Sequence, residues 1–141
     1  MDSRLLARVL YMLTKLIGIP FINGGRNYDG CDCWGLVKLA SKELYGVDLP
    51  DYMISCFDSA NISKTCAKDL KEQWSRVKTP IKGAIAIMGT DPDAPNLMNH
   101  IGLVIGQNKM LHTLKKQYSH IERLNHPFYK NRIKGFWKYN G

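Results

Sequence analysis

The six residues from Asp32 to Val37 constrain this chain most, because they put a cysteine where a polar turn gives way to a helix. Glycines precede it at positions 24, 25 and 30, and Gly46 ends a run of apolar residues with helical spacing: Trp34, Leu36, Val37, Ala40 and Leu44. The pattern predicts a helix that begins at Cys33. Backbone N–H groups in a first turn lack partners and carry the positive end of the helix dipole, which favours a thiolate. Cys33 is therefore either a reactive nucleophile or a small apolar residue that packs a helix start.

The length and charge of the chain limit the number of domains and the kind of partner. Its 141 residues suit a single domain over 1–141, and the apolar content of 45% is ordinary for a globular protein. The net charge is +8, concentrated from Lys109 onward, where eight Lys and Arg stand against one Glu. A basic surface attracts either nucleic acid or an anionic cell-wall polymer. Nucleic acid is the less favoured partner, because a domain core explains the interleaved aromatic residues equally well.

The cysteine count and the opening residues bear on location. No apolar run approaches the roughly 18 residues that cross a bilayer. The opening residues also lack the pattern of a signal peptide, so we expect synthesis in the reducing cytoplasm. Cys31, Cys33, Cys56 and Cys66 make an even number. The sequence leaves open whether Cys56 and Cys66 form a disulfide.

The order of the predicted elements indicates an α+β domain. Apolar residues at helical spacing from Leu5 to Ile17 predict an amphipathic helix, which is capped at Asp2 or Ser3, ends at Gly18 and packs on the domain rather than on a membrane surface. A short third helix is predicted over 65–74. Strands are predicted over 83–88, 100–106, 110–113, 121–124 and 135–139. Helices followed by antiparallel strands are typical of α+β folds.

Two histidines on the predicted sheet can complete a reactive centre with Cys33. His100 opens one strand and His112 lies near the end of its hairpin partner, so a tight turn at 107–108 lets both face the same side. A histidine beside a helix-start cysteine can take the thiol proton and return it to a leaving amine. A third polar group must hold that imidazole in the right tautomer. This layout is typical of a papain-like thiol hydrolase.

In this order the motifs resemble the NlpC family of papain-like peptidoglycan endopeptidases, and in particular its phage-tail-associated members. The resemblance covers the chain from about Gly18 to its end, with the second histidine twelve residues after the first. It is carried by the Asp32-Cys33-Trp34-Gly35-Leu36-Val37 motif and by the segments 19–25, 49–52, 83–88, 100–106 and 110–112.

The resemblance implies a role for each site residue. Cys33 would be the nucleophile, His100 the general base and acid, and His112 the residue that orients His100. Asp32 would cap the helix or meet the free amine of the substrate, and Trp34 and Phe21 would contact the substrate. Trp34 stands where a serine often follows the cysteine and Phe21 where many members have a tyrosine, so contacts made by those hydroxyl groups are absent here.

The resemblance also implies a reaction. The family hydrolyses amide bonds of peptidoglycan stem peptides through a thioester acyl-enzyme, without a metal or cofactor, and with backbone N–H groups as the oxyanion hole. We therefore expect a cysteine endopeptidase that is made in the cytoplasm without a signal peptide, is assembled with phage or prophage tail proteins, and acts on the cell wall.

Three other interpretations remain open from the residues. A zinc site could use Cys31, Cys33, His100 and His112, although the Cys-x-Cys spacing is tighter than in common structural zinc sites. A thiol amidase or acyltransferase could share the fold with a different substrate. A tail-structural or wall-binding protein could keep the fold without turnover.

Overall fold

The computed structural model describes residues 2–52 and 54–141. Across these residues the chain forms three helices, α1 (Ser3–Lys15), α2 (Cys33–Tyr45) and α3 (Ser59–Glu72). A small hairpin lies between α1 and α2, and the larger strands follow α3. In chain order the strands are β1 (Arg26–Asn27), β2 (Gly30–Cys31), β3 (Trp74–Val77), β4 (Ile85–Met88), β5 (His100–Gly106), β6 (Lys109–His112), β7 (His120–Arg123) and β8 (Ile133–Tyr139).

The larger strands form one six-stranded sheet in the order β3-β8-β4-β5-β6-β7, and every neighbouring pair is antiparallel. The β5–β6 hairpin turns at Gln107 and Asn108, both with positive φ, which matches the tight turn that the sequence predicts. The α+β class is confirmed, with helices packed on an antiparallel sheet.

The main core lies between α2 and one face of the sheet. Leu36, Val37 and Ala40 of α2 are completely buried and pack in one apolar cluster with Ile85 and Leu103. Burial of a side chain of this size contributes about 1.5–3 kcal/mol. These contacts fix α2 against β5, and thus fix the first residue of α2 against the first residue of β5.

A second cluster covers the opposite face of the sheet. Val104, Met110 and Met88 are fully buried there, beneath Leu124 and Tyr129 from the segment between β7 and β8. Both faces of β5 and β6 are therefore packed, which holds the two histidines of these strands in a rigid frame.

Three features differ from the sequence prediction. α3 begins at Ser59 rather than at 65, because Asp58 caps it by accepting the N–H of Asn61 at 3.2 Å. Trp74 belongs to β3, which has no counterpart in the prediction, and pairs with Tyr139. The turn-rich segment before Cys33 contains the short β1–β2 hairpin.

The helix α1 begins as predicted, with Asp2 as its cap, and ends at Lys15 rather than at Gly18. The expectation that its apolar stripe packs on the domain is wrong for most of the stripe. No residue of α1 is buried, and Leu6 and Leu10 are about half exposed. Only Leu16, just past the helix, is fully enclosed. The reason is geometric, since α1 contacts the domain chiefly through α2. Within the described residues, no helix is both long and apolar enough to span a bilayer.

Candidate active site

The start of α2 is fixed by a buried aspartate. Asp32 is 2% exposed, and one of its carboxylate oxygens accepts the N–H of Gly35 at 2.8 Å. The other oxygen accepts the N–H of Gly24 at 2.8 Å, and the guanidinium of Arg26 pairs with the carboxylate at 2.8 Å. Cys33 follows as the first helical residue. The N-cap therefore anchors the turn, the helix and the cysteine together.

Gly35 is required by the same arrangement. A Cβ atom at this position would collide with the backbone carbonyl of Gly25. The absence of a side chain lets the β1–β2 hairpin lie directly against the first turn of α2.

The two histidines of the hairpin form a direct pair. The register sets Val104 opposite Met110, so His100 and His112 fall on the same face of the sheet. His100 Nε2 lies 2.8 Å from His112 Nδ1. His100 is 6% exposed and His112 is fully buried. The two histidines thus face the same side, as the sequence predicts, and their rings are hydrogen-bonded to each other.

This hydrogen bond leaves one nitrogen of His100 free for chemistry. If Nδ1 of His100 is to accept a proton from Cys33, the neutral ring must carry its proton on Nε2 and donate it to His112 Nδ1. His112 then carries its own proton on Nε2, a buried atom without a hydrogen-bond partner. The orienting residue is instead held by packing, because the rings of His120 and Tyr129 lie 4.5 and 5.0 Å from its ring.

The sulfur of Cys33 lies where α2 and β5 begin. The backbone N–H groups of Trp34 and Ile101 are close enough to lower its pKa, and Ile101 directly follows His100. Burial outweighs both groups and, together with the charge of Asp32, raises the pKa of Cys33 to about 12. Burial likewise lowers the pKa of His100 to about 4 and depresses the pKa of His112 further. The helix start was expected to favour a thiolate, whereas desolvation favours a neutral thiol beside a neutral imidazole.

A cleft of about 100 Å³ opens beside the cysteine. Its floor is formed by the start of α2 and by β4 and β5, and its far wall is formed by α3 and the segment that precedes α3. Most of the lining is apolar or aromatic: Trp34, Tyr52, Ile54, Ile62, Leu70, Trp74, Ile85, Ile87, Met98 and Ile101. Cys33 and His100 therefore lie at the edge of a mainly apolar cleft.

The structure brings most of the predicted site residues together. Asp32, Trp34, Cys33 and His100 all line the cleft. The indole N–H of Trp34 donates to the carbonyl of Pro50 at 3.0 Å, so the ring is fixed as part of the wall. His112 stands behind His100. Substrate contacts at Asp32 and Trp34 stay predictions.

Phe21 and Cys31 lie elsewhere. Phe21 forms a β-bridge with Cys31 and is not part of the cleft lining, so its contact with substrate also stays a prediction. The thiol of Cys31 donates to the carbonyl of Asn27 at 3.1 Å. Among residues 2–52 and 54–141, no three His, Cys, Asp or Glu side chains converge as metal ligands, so the zinc site drawn from Cys31, Cys33, His100 and His112 is not formed. All four cysteines are free thiols.

The far wall of the cleft is the part that sequence reasoning missed. The spacing of Cys66, Leu70 and Trp74 predicts one shared face, and the structure turns all three toward the cleft. Asp69, beside this face, also lines the cleft. The signal for the face was present in the sequence, but its direction depends on tertiary packing.

Comparison with known proteins agrees with this geometry. The family model described as "NlpC/P60 family" matches residues 18–138. Among curated proteins, the chain is 24% identical over 126 residues to the murein DD-endopeptidase MepS/murein LD-carboxypeptidase of Escherichia coli K12. That alignment covers 89% of this chain and 58% of the relative, so the chain spans little more than half of the curated protein.

Solved structures share the fold. An NlpC/P60 family protein from Bacillus cereus has a TM-score of 0.67 at 22% identity, over 96% of this chain and 40% of that one. The NlpC/p60 domain of the peptidoglycan hydrolase SagA has a TM-score of 0.59 at 16% identity, over 94% of this chain and 96% of that domain. The papain-like arrangement of the helices and sheet is therefore established.

Proposed function

Because the chain belongs to the NlpC/P60 family, a family of cysteine peptidases that act on peptidoglycan, we propose that it hydrolyses amide bonds of peptidoglycan stem peptides. The observation that carries the proposal is the 2.8 Å contact between His100 Nε2 and His112 Nδ1 beside a helix-start cysteine. This contact orients a base, and it leaves the second nitrogen of that base available to a nucleophile.

The first half of the reaction makes a thioester. Nδ1 of His100 takes the proton of the Cys33 thiol as the sulfur attacks the scissile carbonyl carbon. Since both groups are neutral at rest, the proton moves as the new bond forms. The N–H of Cys33 lies in the first turn of α2, where N–H groups lack intrahelical partners, and it can donate to the developing oxyanion. His100 then gives the proton to the leaving amine, and the C–N bond breaks.

The second half releases the acyl group. Nδ1 of His100 takes a proton from water, the hydroxide attacks the thioester carbonyl, and the sulfur leaves and regains the proton. Throughout, His112 accepts a hydrogen bond from Nε2 of His100 and stabilises the imidazolium.

The names of the relatives support this substrate. MepS is a murein endopeptidase and carboxypeptidase, and SagA is a peptidoglycan hydrolase. We further propose that the chain works as a tail-associated component of a phage or prophage. Trp34 supports this location, because a tryptophan after the cysteine resembles the tail-associated members. The basic last third of the chain would favour contact with anionic wall polymer.

The test is mass spectrometry of purified disaccharide-peptides and cross-linked muropeptides after incubation with the wild type and with Cys33→Ala. We expect new fragments from the wild type only, and their masses identify the bond that is cut. A folded wild-type protein with reduced thiols that yields no fragment from any muropeptide would contradict the proposal and favour a tail-structural role. Probing purified virions with an antibody to the chain tests the tail location, and a signal absent from intact tails would refute it.

A further inference from the structure

A third histidine lies behind the pair of His100 and His112. His120 of β7 is the cross-strand partner of His112, and the centroids of their two rings are 4.5 Å apart. Cross-strand partners in an antiparallel sheet lie on the same face, so the three rings form a row. His100 lines the cleft, His112 is fully buried and His120 is half-buried. The row thus leads from the cleft to the protein surface.

Hydrogen bonding determines which nitrogen of His120 carries the proton. Its Nδ1 lies 2.9 Å from the carbonyl oxygen of Tyr118, and a carbonyl oxygen can only accept. In the neutral ring Nδ1 therefore carries the proton, and Nε2 keeps a lone pair. His112 has the opposite need, because its Nε2–H is a buried donor without a partner among the described residues. An unpaired donor is thus adjacent to a ring whose second nitrogen is an acceptor.

The unpaired donor matters most when His100 is charged. As His100 takes the proton of the Cys33 thiol, its ring becomes an imidazolium that donates to Nδ1 of His112. This hydrogen bond polarises the His112 ring and makes its Nε2–H a stronger donor. A buried donor without an acceptor is unfavourable, and it is more unfavourable when it is polarised.

We propose that His120 is a positioning residue of the reaction, and that its neutral ring accepts a hydrogen bond from Nε2 of His112 while His100 is an imidazolium. The three rings then form one chain of hydrogen bonds in which every donor points away from the cleft. Each proton stays on its own nitrogen, so the chain needs no further acid or base. This inference rests on the proposed function, and it adds a residue that supports the base through His112.

Protonation of His120 would remove this support. A charged ring has a donor on each nitrogen, so it cannot accept the Nε2–H of His112. The positive charge of His120 also lowers the pKa of His100, which opposes transfer of the thiol proton.

Other titratable groups surround the row. Tyr129 lies edge-on to His112 with ring centroids 5.0 Å apart, and His126 lies 5.6 Å from Tyr129. Glu122 follows His120 by two residues and lies on the same face of β7. A charge on His126 lowers the pKa of the middle ring, whereas a charge on His120 lowers the pKa of both other rings. His126 therefore offers a matched control.

The experiment measures how fast iodoacetamide alkylates Cys33, with peptide mapping by mass spectrometry to separate the four cysteines. This rate reports how readily His100 takes the thiol proton, and it needs no substrate. His120→Phe keeps a ring against His112 but has no acceptor. We expect it to slow the alkylation at pH 8 by about 10- to 100-fold, the range of a hydrogen bond to a charged group. His120→Gln restores an acceptor oxygen and should recover most of the rate. A phenylalanine variant as fast as the wild type would show that His120 only packs on His112.

The pH dependence tests the charge of His120. The alkylation rate of His120→Gln divided by that of the wild type should rise as the pH falls from 8 to 5, because only the wild type acquires a charge at position 120. His126→Asn removes a neighbouring histidine, and its side-chain oxygen can still accept the N–H of Phe128. Its ratio to the wild type should stay constant. A constant ratio for His120→Gln would overturn the proposal, also if His120→Phe does not fold.

Cleavage of cross-linked muropeptides by the same variants separates this inference from the proposed function. We expect His120→Phe to lower kcat by about 10-fold or more with little change in KM, because the peptide does not contact His120. Alkylation that depends on His120, with no cleavage of any muropeptide by the wild type, would refute the hydrolysis and retain the role of His120. Equal kcat values for the wild type and His120→Phe would retain the hydrolysis and overturn the role of His120.

Discussion

The helices α2 and α3 face each other across the cleft, and both begin at an aspartate cap, yet they are held very differently. α2 buries five residues, and its cap is 2% exposed. α3 buries none, and its cap Asp58 is exposed. α2 packs on β1, β2, β5 and β6, whereas α3 packs mainly on β3. The wall of the cleft that carries Cys33 is thus part of the core, while the wall that α3 forms is attached at its surface.

The largest effect is expected for His112, which is hydrogen-bonded to His100. His112→Ala should lower kcat by about 100- to 1,000-fold with little change in KM, because His100 loses the acceptor that fixes its tautomer. Steady-state cleavage of a stem peptide measures both constants. His112→Asn can still accept from Nε2 of His100, so it should recover much of the lost kcat. If the asparagine variant is as slow as the alanine variant, His112 does not orient His100 through that bond.

The second effect concerns the anchored cap. Asp32→Ala should lower the free energy of unfolding by about 2–4 kcal/mol, because it removes the cap and leaves the partly buried Arg26 with Asp51 as its remaining carboxylate. Urea unfolding followed by circular dichroism measures the loss. Asp32→Asn keeps an acceptor for Gly35 and should lose less. Equal stability of the alanine variant and the wild type would show that α2 is fixed by apolar packing alone.

The contrast between the helices also explains what the sequence could predict. The start of α2 and the span of β5 follow from local patterns, since Cys33 comes after a polar turn and His100–Gly106 is an apolar run that ends in glycine. The sequence prediction starts α3 six residues late, because residues 59–64 are mostly polar and carry little periodicity. Its packing supplies no buried stripe that a sequence pattern could reveal.

The residues of the site likewise fall into those that the sequence identifies and those that it does not. Cys33, His100 and His112 could be identified because their residue types and their order are informative in themselves. The position of Asp69 in the cleft lining could not, because an aspartate in a charged helix has the same pattern whether it meets solvent or a cleft. The pKa of Cys33 could not be predicted either, since the local helix start lowers it while the burial that raises it comes from elements far away in sequence.

The third effect is a pH dependence of the free energy of unfolding, and it comes from the buried His100. The pKa of His100 falls from its ordinary 6.5 to about 4 on burial. The unfolded chain therefore binds a proton below pH 6.5 that the folded chain does not bind until about pH 4, so stability falls as the pH drops through this window. His100 alone accounts for about 3 kcal/mol. Urea unfolding from pH 7.5 to 4.5 measures the slope, and His100→Asn should flatten it. A wild type with constant stability over this range would mean that His100 is solvated.

The smallest effect is expected at the exposed cap. Asp58→Ala should lower the free energy of unfolding by about 0.5–1 kcal/mol, because a single 3.2 Å hydrogen bond to Asn61 is lost from a helix end that water can solvate. Urea unfolding measures this value beside that of Asp32→Ala. A loss equal to that of Asp32→Ala would break the comparison, since α3 would then be as integral to the fold as α2. A small loss with slower amide-hydrogen exchange in α2 than in α3 would sharpen it, because the far wall of the cleft could then open without disturbing Cys33.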